Sequence, residues 1–298
     1  QAEDGIRDLV RSRGLGDVYK RQPLAYVTYV PFELAAPYTG RWNNLPAAHG
    51  AAVAFDLLCI AGLALLGHRL GGRRLAAALA LAWAAFPFTA YALESNSNDA
   101  LVSATLIWTL VLAANPVARG LALGLSIATK FSPAVLVPLM WRAPFPRPRA
   151  SDRGLRGAVR FVAGLAAAGM LTGWVLLLDG DDGVRAFWSR TIEYQFDRES
   201  PFSIWGQHPA LRPVQLGLTV AVAVAALALW RWPRRRDLLT VAALAGAVLI
   251  ATQLTLTHWF YLYIPWFAPF VLLATVPAWP PMVAPRAPAP APGPPASE

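Results

Sequence analysis

A lysine inside an apolar run is the most distinctive feature of this sequence. Lys130 lies near the middle of run 117–141 and is followed three residues later by Pro133. A charge at the centre of a membrane span costs about 2.5–3.5 kcal/mol on insertion scales. A lysine at this position therefore indicates either a functional site or a structural ion pair, and the sequence leaves both open.

The other polar side chains that could do chemistry lie in three segments. They are ESNSND (Glu94 to Asp99), the loop 179–212, and TLTHWFY (Thr255 to Tyr261), which marks the outer end of the last predicted pair of helices. A carboxylate can accept a proton from a hydroxyl, and a cation or an imidazole can stabilise a departing anion. We expect one cavity on the non-cytoplasmic side, lined by Glu94, Asn96, Asn98, Asp99, Lys130, His208, His258 and Tyr261.

Several of these residues also have a structural interpretation. Asn98 or Asp99 could cap the following helix, since both residue types are favoured at helix N-caps. His258 lies among aromatic residues and could belong to an interfacial belt. His208 could be an ordinary loop residue. Asp56, inside the first apolar run, could bind a partner helix or be protonated in place.

Composition indicates a membrane protein. Of the 298 residues, 56% are hydrophobic and 14% are charged, whereas soluble domains average about 25% charged residues. The single cysteine, Cys59, excludes a disulfide framework and a cysteine-based zinc site. No cluster has the spacing of a metal site, so we expect neither a metal nor another cofactor.

The apolar runs define an all-α polytopic membrane protein with about eight hydrophobic helical segments, because only a helix or a closed barrel satisfies the backbone in lipid. The segment 23–39 is apolar and aromatic but broken by prolines, and is predicted to be a short interfacial helix or loop. The runs lie at about 48–67, 74–93, 99–114, 117–141, 157–178, 213–231, 237–256 and 260–279.

Arginine clusters predict the orientation of these segments. The clusters occupy 69–74, 142–160 and 231–236, and they fall on one side of the predicted bilayer. Since Lys and Arg concentrate on cytoplasmic loops, this side is predicted to be the cytoplasm. The net charge of +9 is explained by this sidedness, and no nucleic-acid partner is expected.

The orientation requires segment 117–141 to begin and end on the same side. Pro133 disfavours helix at the residue before it. We therefore predict two half-helices that meet near Lys130. Such a break is tolerated where it faces protein or a water-filled cavity.

The two ends of the chain differ from the predicted membrane domain, residues 23–279. Residues 1–22 are rich in charge and resemble a translated sequencing adapter, so they are interpreted as a non-native segment. Residues 280–298 are rich in Pro and Ala and are predicted to be a disordered tail.

The order of several motifs resembles the GT-C superfamily of polyprenyl-phosphate-sugar-dependent glycosyltransferases, and most closely the bacterial, mannosyltransferase-like glycosyltransferase family 87. The motifs are PLAYVTYVPFE, AFDLL, ESNSNDAL, ATKFSPAVLVPL and THWFYLYIPWFAPF. The resemblance covers nearly all of the chain after Gln22.

The resemblance implies an enzyme of the bacterial plasma membrane that moves a sugar, mannose by family likeness, from a polyprenyl phosphate to a lipid or glycan acceptor, with inversion, on the outer face. Lys130 and His258 would then stabilise the departing phosphate. Family members usually carry the catalytic acid in the first outer loop, which would precede Pro23. We therefore expect an N-terminally truncated and inactive chain, with Asp99 and Glu94 as weak candidates for the base.

Two other functions are compatible with a broken helix. Secondary transporters also have discontinuous helices, although they usually show internal repeats, and we find no second broken segment. A flippase or a membrane scaffold would need no converging carboxylates.

Overall fold

The computed structural model describes residues 24–41, 44–142, 154–177, 184–185, 187–193, 202–234 and 236–275. These residues form helices and connecting segments, with no strand among them, and the all-α prediction is confirmed. The suspected non-native segment 1–22 and the predicted tail 280–298 lie outside the described residues.

Twelve α-helices are described in these ranges. They are α1 (Leu24–Val27), α2 (Val30–Ala35), α3 (Pro46–Ala84), α4 (Pro87–Glu94), α5 (Asp99–Val111), α6 (Pro116–Thr129), α7 (Val137–Met140), α8 (Gly154–Gly173), α9 (Ile204–Gln207), α10 (Arg212–Ala228), α11 (Leu238–Leu254) and α12 (Ile264–Thr275). Short 3₁₀ turns occur at Ser132–Leu136, Trp174–Leu177, Pro209–Leu211 and Tyr261–Tyr263, and a π-helical turn at Trp188–Glu193.

Four helices of the described chain are long and apolar enough to cross a membrane. They span Pro46–Ala84, Gly154–Leu176, Pro209–Ala228 and Leu238–Thr255. α5, α6 and α12 are shorter apolar helices. The chain is therefore a multi-pass membrane protein.

Helix α3 is a hairpin of two antiparallel arms. Gly71 and Gly72 have non-helical backbone angles, and Gly72 has φ 72°, a conformation that glycine adopts without a steric penalty. A Cβ on Gly67 would lie 2.7 Å from the carbonyl oxygen of Leu75, although eight residues of straight helix would separate these positions by about 12 Å. The hairpin matches the two runs predicted at 48–67 and 74–93.

The run predicted at 74–93 is divided by Pro87. Helix α3 ends at Ala84, and α4 begins at Pro87. Phe86 is extended, with φ −77° and ψ 125°, which is the conformation favoured before proline. The prediction of one continuous helix over 74–93 is therefore wrong. The chain bends at Phe86, and the short helix α4 leads from this bend into ESNSND.

Arginine side chains bind several helix C-termini at one end of the bundle. Arg69 donates to the carbonyl of Val111, the last residue of α5, at 2.7 Å. Arg236 donates to the carbonyls of Leu139, at 2.7 Å, and of Leu229, near the ends of α7 and α10. Cations are favourable at helix C-termini, where carbonyls lack helical partners. We call this side the arginine end.

Arg119 ties both ends of segment 116–141 to the arginine end. Its side chain is 2% exposed and donates to the carbonyls of Ala113, Met140 and Trp141. Ala113 precedes α6, whereas Met140 and Trp141 close α7. The segment therefore enters the bundle and returns to the same end, and the predicted re-entrant geometry is confirmed by these contacts.

Helices α6 and α8 approach each other through glycines. A Cβ on Gly120 would lie 2.1 Å from the carbonyl oxygen of Phe161, and a Cβ on Gly164 would lie 2.1 Å from that of Val117. Small residues allow such close contact between membrane helices. This packing fixes α6, and with it the break at Lys130.

Candidate active site

The backbone breaks at Lys130, as the sequence predicts. Helix α6 ends at Thr129, and Lys130 is extended, with φ −152° and ψ 142°. The chain then returns as the 3₁₀ turn Ser132–Leu136 and the short helix α7. The half-helix after the break therefore begins as a 3₁₀ helix, which is wound more tightly than the predicted α-helix, and Pro133 lies in its first turn. Fourteen residues of α6 place Lys130 about 20 Å from the arginine end.

Lys130 forms an ion pair with Asp99. Its Nζ lies 3.5 Å from Oδ1 of Asp99, and the two side chains are 28% and 4% exposed. Asp99 is the first residue of α5, whose far end reaches Arg69. The structure therefore brings together two predicted site residues, at the end of the bundle opposite the arginine end.

Trp266 is the third member of this cluster. Its indole N–H donates to Oδ1 of Asp99 at 2.9 Å, and Nζ of Lys130 lies 5.7 Å from the centre of its ring. Cations are attracted to indole faces within about 6 Å. Lys130, Asp99 and Trp266 therefore form one polar cluster, which we call the Lys130 cluster.

His258 is linked to the Lys130 cluster through aromatic rings. Its ring packs against Tyr263 at 6.1 Å, and Tyr263 packs against Trp266 at 4.4 Å. An imidazole is therefore two ring contacts away from the ammonium group of Lys130. Both candidates for stabilising a departing anion lie in one region.

The ESNSND segment joins the Lys130 cluster to α3. Ser97 donates its hydroxyl to Oδ2 of Asp99. Asn96 has a positive φ of 53°, which is uncommon outside glycine but tolerated by asparagine. Its Oδ1 lies 3.0 Å from Nδ1 of His49, in the first turn of α3. His49 is a residue near the site that the sequence reasoning missed.

Asn98 and Glu94 differ in their surroundings. Asn98 is 9% exposed and occupies the N-cap position of α5 without a side-chain capping bond. The interpretation of Asn98 as a side-chain cap is therefore wrong. The backbone N–H of Asp99 instead donates a hydrogen bond to the hydroxyl oxygen of Ser97 at 3.1 Å. Glu94 is exposed at the end of α4.

The segment around His208 docks beside His258. Ser203 donates to the carbonyl of Thr257. The Trp205 indole donates to the carbonyl of Leu254 at 2.8 Å, and Gln215 reaches the carbonyl of Thr255 at 2.8 Å. These contacts place His208, which is exposed, on the same side of the bundle as His258.

Tyr261 lies at the surface of this region. Its side chain is 55% exposed and stacks on Phe88 of α4 at 6.1 Å. This stacking links the start of α12 to the helix that precedes ESNSND. An exposed aromatic face close to exposed polar groups suits contact with a sugar ring.

The predicted loop 179–212 is only partly described, at residues 184–185, 187–193 and 202–212. Within it, Phe187 packs against Phe131 at 6.3 Å, beside Lys130. The loop therefore contributes at least one side chain to the region of the break.

Asp56 has a structural partner, as one of its interpretations predicts. The Trp83 indole donates to its Oδ1 at 2.7 Å, across the α3 hairpin. Cys59 is buried one turn further along and donates its thiol to the carbonyl of Ala100 at 3.3 Å. Asp56 therefore joins the two arms of α3, and Cys59 joins α3 to the first turn of α5.

The arrangement can bind an anion beside a hydroxyl-rich ligand. It offers a partly exposed ammonium group, an imidazole linked to it by two ring contacts, amides, and an exposed carboxylate. In the described part of the chain, no group of three His, Cys, Asp or Glu residues could hold a metal ion.

A family model described as glycosyltransferase family 87 matches residues 22–257. No curated protein and no solved structure matches the chain.

Proposed function

The chain belongs to glycosyltransferase family 87, and on this basis we propose that it transfers a sugar from a polyprenyl-phosphate donor to a lipid or glycan acceptor. The proposed sugar is mannose, and the proposed site is the non-cytoplasmic face of a bacterial plasma membrane. The ion pair of Lys130 with Asp99, at the apex of a re-entrant segment, is the observation that carries this proposal.

Lys130 is proposed to receive the leaving phosphate. In an inverting transfer the acceptor oxygen bonds to the anomeric carbon, the bond from that carbon to the phosphate oxygen breaks, and the electron pair leaves with the phosphate. An ammonium group at that oxygen stabilises the developing charge, and such a contact is worth more where water is excluded. His258 is proposed as a second contact for the same charge.

The proton of the acceptor hydroxyl must pass to a base. Of the two carboxylates of ESNSND, Asp99 is buried and paired, whereas Glu94 is exposed. Glu94 is therefore the one of the two that could receive this proton. Asn96, Asn98, His208 and Tyr261 are proposed to contact hydroxyls or faces of the sugar, and no cofactor or metal is included.

The experiment is sugar transfer by the protein expressed from its complete gene and reconstituted in liposomes. With radiolabelled polyprenyl-phosphate mannose and a membrane lipid extract, we expect a labelled lipid or glycan. Lys130→Met should lower transfer by about 10²-fold or more. Arg73→Met, which removes an exposed cation from the arginine end, should leave transfer unchanged.

Two results would overturn the proposal. One is uptake of a free solute into the vesicles without any transfer, which would identify a carrier. The other is full transfer by Lys130→Met, which would remove the ammonium group from the mechanism.

A further inference from the structure

The ammonium group of Lys130 is held by side chains from two other helices. Asp99 begins α5, and Trp266 lies in α12. The carboxylate is 3.5 Å from Nζ, and the indole ring centre is 5.7 Å from it. Because a lysine side chain has four rotatable bonds, an ammonium group at a chain break needs such contacts to keep one position.

Both oxygens of Asp99 are already engaged. Oδ1 accepts the indole N–H of Trp266 and faces Lys130. Oδ2 accepts the hydroxyl of Ser97. The residue is 3% exposed. A general base must come within hydrogen-bond reach of the substrate proton, and this buried, occupied carboxylate does not present an oxygen to a substrate.

Trp266 is itself fixed in place. It is 3% exposed, and Tyr263 packs against its ring at 4.4 Å. The preceding residue, Pro265, accepts a hydrogen bond from the Ser103 hydroxyl of α5 at 2.8 Å. Helix α12 is therefore attached to α5 on the same side as Asp99, so the indole and the carboxylate form one rigid support.

We propose that Asp99 and Trp266 are positioning residues that hold the Lys130 ammonium group where the anionic phosphate of the donor binds. The inference rests on the proposed function and assigns Asp99 a role other than that of the base. An ammonium group carries three N–H donors, so the pair with Asp99 leaves donors for a phosphate oxygen.

This role predicts a specific kinetic signature. Loss of positioning should weaken donor binding and raise KM for the donor, with a smaller effect on kcat. Loss of a general base should instead lower kcat by about 10²–10⁴-fold and remove the acid limb of the pH–rate profile. The two roles are therefore distinguished by the same set of measurements.

The test is a double-mutant cycle on the protein from the complete gene, in liposomes. Asp99→Asn and Trp266→Phe are measured in the wild-type background and in Lys130→Met. Donor affinity is measured directly, as retention of radiolabelled polyprenyl-phosphate mannose, so that the cycle can be closed even where transfer is lost. Folded protein is checked by size-exclusion chromatography.

We expect Asp99→Asn and Trp266→Phe each to weaken donor binding about 10-fold in the wild type and to have no further effect in Lys130→Met, since interacting residues are non-additive. The matched control is Trp83→Phe, which removes another indole-to-carboxylate bond, to Asp56, and should leave donor binding unchanged.

The inference is overturned if the effects of Asp99→Asn and Lys130→Met on donor binding simply add. It is also overturned if Asp99→Asn abolishes kcat and the acid limb while donor binding is unchanged. In either case a wild type that still transfers sugar leaves the proposed function standing. A wild type that neither binds nor transfers the donor contradicts the proposed function itself.

Discussion

Nζ of Lys130 and Oδ1 of Asp99 lie 3.5 Å apart, at the apex of a re-entrant segment and the first turn of α5. The carboxylate is almost fully buried, whereas the ammonium group is partly exposed. The pair is therefore asymmetric, because Asp99 depends on Lys130 for compensation of its charge more than Lys130 depends on Asp99.

The asymmetry predicts how the fold responds to mutation. Lys130→Met leaves a buried carboxylate without its cation, and breaking a buried pair typically costs about 3–5 kcal/mol. Because Lys130 is partly exposed, we expect about 2–3 kcal/mol here. The double variant Lys130→Met/Asp99→Asn should recover part of this loss. Thermal unfolding in detergent measures both, and an equal or lower stability of the double variant would contradict the argument.

The broken helix could be predicted from the sequence because its signals are local. A charge and a proline in one apolar run, between arginine clusters, require a break and a return. The form of the returning half could not be predicted in this way. It is a 3₁₀ turn followed by one α-turn, and its position depends on Arg119, whose three carbonyl partners come from both ends of the segment.

The close packing of α6 against α8 predicts a sharp difference between two glycines of α8. Gly164→Ala would place a Cβ 2.1 Å from the carbonyl oxygen of Val117. Overpacking of this kind costs about 1–3 kcal/mol or more. Gly169→Ala, on the same helix, meets nothing within 4 Å and should be neutral or slightly stabilising. Equal melting temperatures of the two variants would contradict this packing.

The capping hydrogen bonds of Asp237, at the arginine end, are predicted to stabilise the fold in a way that depends on pH. Its carboxylate accepts the backbone N–H of Thr240 at 2.9 Å and its hydroxyl at 2.7 Å. These hydrogen bonds hold the pKa of Asp237 below its ordinary value. The stabilisation is therefore complete above the unfolded-state pKa, near 4, and is lost as the pH falls through the folded-state pKa.

We expect Asp237→Ala to destabilise the protein by about 0.5–1 kcal/mol at pH 7, the usual cost of losing an exposed N-cap. The difference from wild type should shrink as the pH falls below about 4, the unfolded-state pKa of an aspartate. Asp237→Asn keeps a capping oxygen and should show no such change with pH. A constant difference between Asp237→Ala and wild type across this range would contradict the role of the ionised carboxylate.

The sequence predicts the polar residues of the candidate site but not the residues that hold them in position. Lys130 stands out inside an apolar run and Asp99 in a polar segment between two apolar runs, so the sequence alone identifies both. Trp266 does not, since tryptophans are common in membrane proteins and its role depends on a contact across 167 residues. His49 was missed for a similar reason, because its partner Asn96 lies 47 residues away.

The orientation of the bundle can be tested with engineered cysteines. Cys59 is buried and can be replaced by alanine to give a cysteine-free background. Ser95 is exposed beside ESNSND, and Arg73 is exposed at the turn of α3. In spheroplasts, a membrane-impermeant maleimide should label Ser95→Cys directly and Arg73→Cys only after lysis. The reverse pattern would place the Lys130 cluster on the cytoplasmic side.

The same background tests whether segment 116–141 is re-entrant. Ala114 and Arg142 flank the segment and are exposed, and Arg119 ties both flanks to the arginine end. Cysteines at positions 114 and 142 should therefore share the accessibility of Arg73→Cys, with labelling only after lysis. Since α6 alone is about 20 Å long, it is too short to cross the hydrocarbon core of about 30 Å. Labelling of the two positions from opposite sides would show a complete crossing and would remove the apex on which the Lys130 cluster depends.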